Sequence, residues 1–274
     1  MSVWHQCTLK ERALTPLASM PTPKILQALT QVFLTTPCPL CQRSASSLPL
    51  CNSCYQQLLT CKWPHSGLKK TQPANKLAIS HQNTLSVFSW GMYQNVLKQT
   101  LTSLKYGNQA ELGLWLGYLL GQWWQSNQAG HYQELVVVPI PLHKQRLQQR
   151  GYNQAALIAK GFCRATRSPL AEHSLVRVRA TDAMHRLGAN ERIINLAGAF
   201  QLGNRLPPIR CSILLIDDIY TTGTTGNIAA SLLRQAGYTV IGIATVAQAV
   251  LSSRSAEVAE PSHRCRKPNL RPNP

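Results

Sequence analysis

The chain has 274 residues, 44% of them hydrophobic, with 28 Lys and Arg against 10 Asp and Glu and a formal charge of +18. This is enough for one sizeable domain and a small module, and the hydrophobic content marks a folded, soluble protein. No run is long and apolar enough to span a bilayer; the nearest, Leu112 to Trp124, is short and carries three Gly and a Gln. The N-terminus shows no continuous apolar core ahead of a small-residue cleavage site, so a cytoplasmic protein is expected.

Charge is unevenly spread. Between Arg12 and Ala110 there is no Asp or Glu, while nine Lys or Arg fall there. Between Leu135 and Ile216 twelve Lys or Arg face three acids. A basic surface of this size suits polyanions, either phosphorylated substrates or nucleic acid. A generally high isoelectric point in the host would give the same balance.

In chain order, residues 1–24 form an N-terminal extension, with Met20 a candidate start. Ile25, Leu26, Leu29, Val32 and Phe33 then recur at helical spacing. Cys38-Pro-Leu-Cys41 and Cys51-Asn-Ser-Cys54 are two Cys-x-x-Cys pairs, each able to offer two thiolates from one tight turn. Together they predict a closed tetrahedral S4 zinc ribbon over 25–61, structural because four protein ligands leave no open position. A redox dithiol or plain core cysteines are the alternatives. A short helix is expected over Tyr55 to Leu59, and Cys61 is an extra thiol of uncertain role. Cys163 and Cys211 lie in helix-like and strand-like contexts, where cysteine is usually a small buried apolar residue.

Residues 62–83 are polar, with Pro64, Gly67 and Pro73, and read as a linker. Strand pattern covers Thr84 to Tyr93; helices are expected over Val96 to Leu104 and Ala110 to Gln125. A short apolar strand spans Glu134 to Val138, helix returns over Tyr152 to Arg164, and another β-rich run covers Thr239 to Val246. From 251 to 274 the chain is Ser-, Pro- and Arg-rich and reads as a disordered tail. Strands alternating with helices predict an α/β domain over 84–250, a parallel sheet with helices on both faces, whose ligands bind beyond the carboxyl ends of the strands.

Two strand ends carry chemistry. The apolar run from Ile213 enters Asp217-Asp218 and then the turn Thr221-Thr222-Gly223-Thr224-Thr225, after which Ile228, Leu232, Leu233 and Ala236 share a helical face. A turn at a helix N-terminus aims backbone N–H groups at one spot and favours an anion; the threonines add hydroxyl donors. The carboxylates one step earlier would repel phosphate but accept from sugar hydroxyls, so a ribose 5-phosphate satisfies both halves. The second end is Val138-Pro139-Ile140-Pro141, followed by a loop bearing His143, Lys144, Arg146 and Arg150, with Arg150-Gly151 opening the next helix. Such a loop can cradle pyrophosphate. Taken alone, it fits a basic surface loop equally well.

The acidic pair followed by Thr-Thr-Gly-x-Thr closely resembles the 5-phosphoribosyl 1-pyrophosphate (PRPP) signature of type I phosphoribosyltransferases. The whole order resembles the ComF family of competence-associated phosphoribosyltransferase-like proteins: the four-cysteine module, Lys105-Tyr106-Gly107, Val-Pro-Ile-Pro-Leu-His, Arg-Gly-Tyr-Asn-Gln, then the PRPP signature. The resemblance covers Met20 to Gln248. It implies that Asp217 and Asp218 hold the ribose hydroxyls, that Thr221, Thr222, Gly223, Thr224 and Thr225 bind the 5-phosphate, and that the Pro139–Arg150 loop faces pyrophosphate. Zn2+ in the ribbon and Mg2+ with PRPP are the implied ions. It also implies a role in DNA uptake, with other competence proteins as partners; the basic N-terminal region would suit single-stranded DNA. Arg177, Arg179 and Arg192 would belong to an arm before the PRPP strand, where Met184 stands in place of the family's usual Gln. No residue reads as a nucleophile and no base pocket is evident. A phosphoribosyltransferase and a non-catalytic PRPP- or DNA-binding protein therefore both remain open.

Overall fold

The structure is a computed structural model that describes residues 36–45, 48–63, 85–128, 132, 134–179 and 198–249. The helix expected over 25–33, most of the 62–83 linker, Met184, Arg192 and the 251–274 tail lie outside the described residues.

The first elements are short: β1 (Thr36–Pro37) and β2 (Ser44–Ala45) pair antiparallel around the first cysteine turn, and α1 (Asn52–Leu59) starts at the second. After them come β3 (Val87–Met92), α2 (Asn95–Tyr106), α3 (Ala110–Gln128) and β4 (Leu135–Pro139). Next are α4 (Lys144–Arg150), α5 (Gln154–Thr166), β5 (Leu175–Arg177), β6 (Phe200–Leu202), β7 (Ser212–Tyr220), α6 (Thr224–Gln235) and β8 (Thr239–Gln248). The central sheet has the order β3-β8-β7-β4 and every pairing in it is parallel, so the strand ends with chemistry share one edge of the sheet. β5 and β6 form a separate antiparallel pair, the base of the expected arm.

β7 shows why both faces are covered. Its residues alternate: Ile213 and Leu215 pack with Ala229, Ala230 and Leu233 of α6, while Leu214 and Ile216 pack with Leu116 and Leu120 of α3 and Ile158 and Phe162 of α5. A strand buried on both sides reads as a continuous apolar run, and this one does. The α6 face is centred on Gly226, Ala229, Ala230 and Leu233; Ile228, Leu232 and Ala236 flank it, half-buried. On the other side α3 and α5 cross closely. A Cβ on Gly161 would sit 1.9 Å from the Leu114 carbonyl oxygen, and one on Gly117 would sit 2.0 Å from that of Ile158, so only glycine permits this approach.

The cysteine segment packs directly on this domain. Leu50, Leu58 and Cys61 are buried in the same cluster as Leu97, Leu101 and Leu116, and the Tyr55 and Trp115 rings lie 5.6 Å apart. The chain leaving α1 adds to the β3 edge: Met92 N–H donates to the Cys61 carbonyl at 2.8 Å, and Trp63 N–H to that of Trp90 at 3.1 Å.

One expectation is corrected. The basic stretch after Pro141 is helix α4, not an extended loop, and Gly151 closes it with φ 74 instead of opening the next helix. The reason is compositional. Lys-Gln-Arg-Leu-Gln-Gln-Arg is all straight-chain helix formers, and a left-handed glycine is a common stop. The following helix is opened by Asn153, whose Oδ1 accepts from Ala155 N–H at 3.1 Å.

Candidate functional site

The β4–β7 register, Leu135↔Ser212 through Pro139↔Ile216, sets the two informative runs side by side. Ile140 N–H continues the ladder to the Ile216 carbonyl at 2.9 Å. Pro139-Ile-Pro141 and Asp217-Asp218 thus leave the sheet together. Asn153 braces this exit, its Nδ2 donating to the Ile140 carbonyl at 3.0 Å.

Beyond the acids the chain turns over Tyr220. Gly223 has φ 76, a conformation that favours glycine, and a Cβ there would also fall 2.2 Å from the Tyr220 hydroxyl oxygen and displace that ring. Gly223 is the N-cap of α6, and the first intrahelical bond reaches its carbonyl from Asn227 N–H at 2.9 Å. The first-turn N–H groups from Thr224 onward therefore face outward, where the dipole favours an anion. Thr221 and Thr222 are exposed, Thr224 and Thr225 half-buried, and the Thr222 and Thr224 hydroxyls lie 2.8 Å apart. Asp217, Tyr220, Thr221 to Thr225 and Ile243 line one small cavity.

The acidic pair is strongly polarised. Asp217 Oδ1 accepts from Asp218 N–H at 2.8 Å. Burial, and then the Asp218 charge, push the Asp217 carboxyl up to about 7; the Asp218 N–H, Lys105 and Arg177 pull the other way. Asp218 Oδ2 is held by Lys105 Nζ at 2.8 Å, with both side chains mostly buried at 13% and 20% exposure. Arg177, at the arm base, feels the charges of both Asp217 and Arg146; burial lowers its affinity for its proton, the Arg146 charge adds to that, and Asp217 opposes it. Its guanidinium also stands 5.6 Å from the Phe200 ring.

The other expected residues fall around this core. His143 caps α4, Lys144 starts it, and Arg146 and Arg150 follow one face. Arg150 donates to Gln154 Oε1 at 3.1 Å and lies 5.4 Å from the Tyr106 ring. Among the described residues, His143 Nδ1 and Gln154 Nε2 are buried polar atoms without a hydrogen-bond partner. Arg179 lies just beyond β5, beside Gly198.

Lys105, Tyr152 and Tyr220 were not expected at the site. The Lys-Tyr-Gly run was a signal for the first, but its partner Asp218 stands far along the chain. Tyr152 donates to the Leu104 carbonyl at 2.7 Å and so ties the end of α2 to the Arg-Gly-Tyr-Asn-Gln run.

The second centre is the cysteine cluster. One ligand atom from each of Cys38, Cys41, Cys51 and Cys54 lies within 4.8 Å of all the others, and the Cys41 and Cys51 sulfurs are 3.5 Å apart. Four thiolates around a tetrahedral ion sit about 3.8 Å apart, given metal–sulfur bonds near 2.3 Å, so the four can hold a metal. The Arg43 N–H lowers the Cys41 thiol to about 6 against the cost of burial. Burial alone would raise Cys38, but the N–H groups of Cys51, Leu40 and Cys41 outweigh it and hold that thiol low. Burial and the neighbouring thiols raise Cys54. Cys61 stands apart, its thiol directed to the carbonyls of Gln94 and Gln57. Among the described residues no helix is long and apolar enough to cross a membrane.

A scan against protein-family models gives no match. Competence protein F of Haemophilus influenzae is 30% identical over 218 residues, 77% of this chain and 90% of that protein. The chain belongs to the ComF family. Competence protein ComFC of Bacillus subtilis is 29% identical over 201 residues, 73% of this chain and 72% of its own. Among solved structures, a hypoxanthine phosphoribosyltransferase from Staphylococcus aureus overlaps half of this ComF chain and 74% of its own, at 15% identity and a TM-score of 0.33. The expected architecture stands in its outline: a parallel sheet flanked by helices, preceded by a four-cysteine cluster.

Proposed function

We propose that this chain binds PRPP at the ends of β4 and β7 and serves DNA uptake, a role that fits its likeness to proteins named for competence. The observation that carries the ligand is the joining of two opposite demands in one continuous run: carboxylates that suit hydroxyls, and one turn later a glycine-capped helix N-terminus that suits phosphate. Asp217 and Asp218 take the ribose hydroxyls, and Thr221 to Thr225 take the 5-phosphate. Pro139 to Pro141 with His143, Lys144, Arg146 and Arg150 face the pyrophosphate, their cations offsetting leaving-group charge if PRPP is cleaved at C1. The carboxylates are hard oxygen donors, and with Lys105 already on Asp218 they suit a mostly hydrated Mg2+ held through the ligand's own oxygens. Such an ion would neutralise pyrophosphate charge.

The cysteine set fits Zn2+, a soft-ligand S4 site with no open position, and its role is structural. We place the module over 25–61, the linker over 62–83 and the phosphoribosyl domain over 84–250, in a cytoplasmic protein.

Calorimetric titration with PRPP and Mg2+ tests the ligand. Asn at both Asp217 and Asp218 should weaken binding by at least about 1.5 kcal/mol per strong hydrogen bond lost. If these carboxylates were only surface charge, their removal would tighten binding of so anionic a ligand. Equal or tighter binding by the double variant would therefore reject the reading.

A second reading rests on the acid-free, basic stretch from Arg12 to Ala110: sequence-indifferent contact with single-stranded DNA, with affinity falling steeply as salt rises. Fluorescence anisotropy at low salt checks it, and unchanged affinity after deletion of the cysteine module would place the contact elsewhere.

A further inference from the structure

The acidic pair is not free to meet a ligand unaided. Two adjacent carboxylates at a mostly buried strand end would repel a polyanion and tend to share a proton. Two cations stand against them: Lys105 at 2.8 Å from Asp218, and Arg177 near Asp217, with Arg146 of α4 beyond it.

Lys105 is held in place to do this. It is the basic residue of the last turn of α2, where the helix dipole favours a cation. The residue before it, Leu104, accepts from Tyr152 at 2.7 Å, and the residue after it, Tyr106, has its ring beside Arg150 at 5.4 Å. The helix is anchored by Leu97, Leu101 and Leu104, all at 0% exposure, the first two on the row that leads to Lys105. Helix, clamp and core therefore fix one ammonium on one carboxylate oxygen, Oδ2, and Asp218 Oδ1 has no protein hydrogen bond among the described residues.

We propose that Lys105 is a positioning residue of this site: from the end of α2 its ammonium grips one oxygen of the Asp218 carboxylate and orients it, leaving the second oxygen for a ligand hydroxyl. This rests on the ribose-phosphate reading above and adds to it a residue outside both strand-end runs. Lys105 acts through Asp218 and does not itself touch the ligand.

A double-mutant cycle decides between this role, a direct contact with ligand phosphate, and a simple tie between α2 and β7. PRPP with Mg2+ is titrated calorimetrically into wild type, Lys105→Met, Lys105→Arg, Asp218→Asn and the Lys105→Met/Asp218→Asn double variant, with thermal unfolding as the check on folding. Lys105→Met should weaken binding about tenfold, and Lys105→Arg should recover most of the loss. In the Asp218→Asn background the same Met substitution should cost less than about twofold, because nothing is left to position. An equal loss in both backgrounds would make Lys105 a ligand contact and overturn the proposal. So would full affinity in Lys105→Met. A second readout needs no ligand. Carbon-13 resonances of the aspartate carboxyls, followed through a pH titration, should show the pair taking up its proton about one pH unit higher in Lys105→Met. An unchanged titration would also overturn the proposal. If wild type fails to bind PRPP, the ribose-phosphate reading falls, and the carboxyl titration still judges Lys105.

Discussion

The two centres of this chain are built in opposite ways. The cysteine cluster draws its four thiols, able to hold a metal, from one short stretch, Cys38 to Cys54, and each half is a single turn whose spacing already sets its geometry. The strand-end site draws on Lys105, Pro139 to Arg150, Arg177 and Asp217 to Thr225, segments that meet only because parallel pairing brings β4 and β7 together and packing brings α2 and the arm base to them. A closed metal site is a local property of sequence. A site for a polar ligand is a property of topology, and its charge balance is settled by residues that no single motif contains.

The largest expected effect breaks the local centre. Replacing Cys38 and Cys41 by Ser should abolish metal binding, read by elemental analysis. Because Leu58 and Cys61 share a core with Leu97 and Leu101, the loss should lower the melting temperature of the whole domain and not of a detached module. Structural zinc sites contribute on the order of 10 kcal/mol to small metal-dependent folds, so several degrees of lost stability is a minimal expectation. Undiminished zinc would remove the assignment. Two separate unfolding transitions would show the module to be independent.

A smaller effect probes the assembled centre through pH. The Asp217 carboxyl is raised to about 7 in the fold, well above an unfolded aspartate, so the folded state holds a proton that the unfolded state has released. Its contribution to stability is thus full below pH 4 and is lost as pH rises toward 7, at no more than about 1.4 kcal/mol per pH unit. Ligand hydroxyls need the ionised form, so PRPP affinity should strengthen over the same range. Thermal unfolding from pH 4.5 to 7.5 should show a slope that Asp217→Asn flattens; an identical slope in the variant would contradict the shift.

The smallest effect concerns the clamp between segments. Tyr152→Phe removes the bond to the Leu104 carbonyl and should cost about 1 kcal/mol in denaturant unfolding. It should also weaken PRPP binding by loosening Lys105. Lost stability with unchanged affinity would separate the clamp from the site.

The same contrast explains what the sequence disclosed. The cysteine pairs, the Asp217-Asp218 strand end and the threonine turn are contiguous runs, and the fold places them as a cluster, near the end of β7 and at the start of α6. The order of strands and helices was legible because β7 is apolar at every buried step and α5 and α6 repeat at helical spacing. The Lys144–Arg150 helix was missed because its cations drew attention to charge, while its uniform helix propensity and the Gly151 stop were the better guide. Lys105 was visible only as part of a Lys-Tyr-Gly run. Nothing in the neighbouring residues says that Asp218 waits at the other end of the ion pair.

The central claim is that one ribose 5-phosphate group spans the acids and the turn. A crystal structure of the protein with PRPP and Mg2+ tests it most directly. The 5-phosphate should sit on the N–H groups and hydroxyls of Thr221 to Thr225, with the ribose hydroxyls within hydrogen-bond distance of Asp217 and Asp218. The pyrophosphate should lie toward Pro139 to Arg150. A phosphate seated elsewhere on the basic surface, with the strand end left to water, would contradict it.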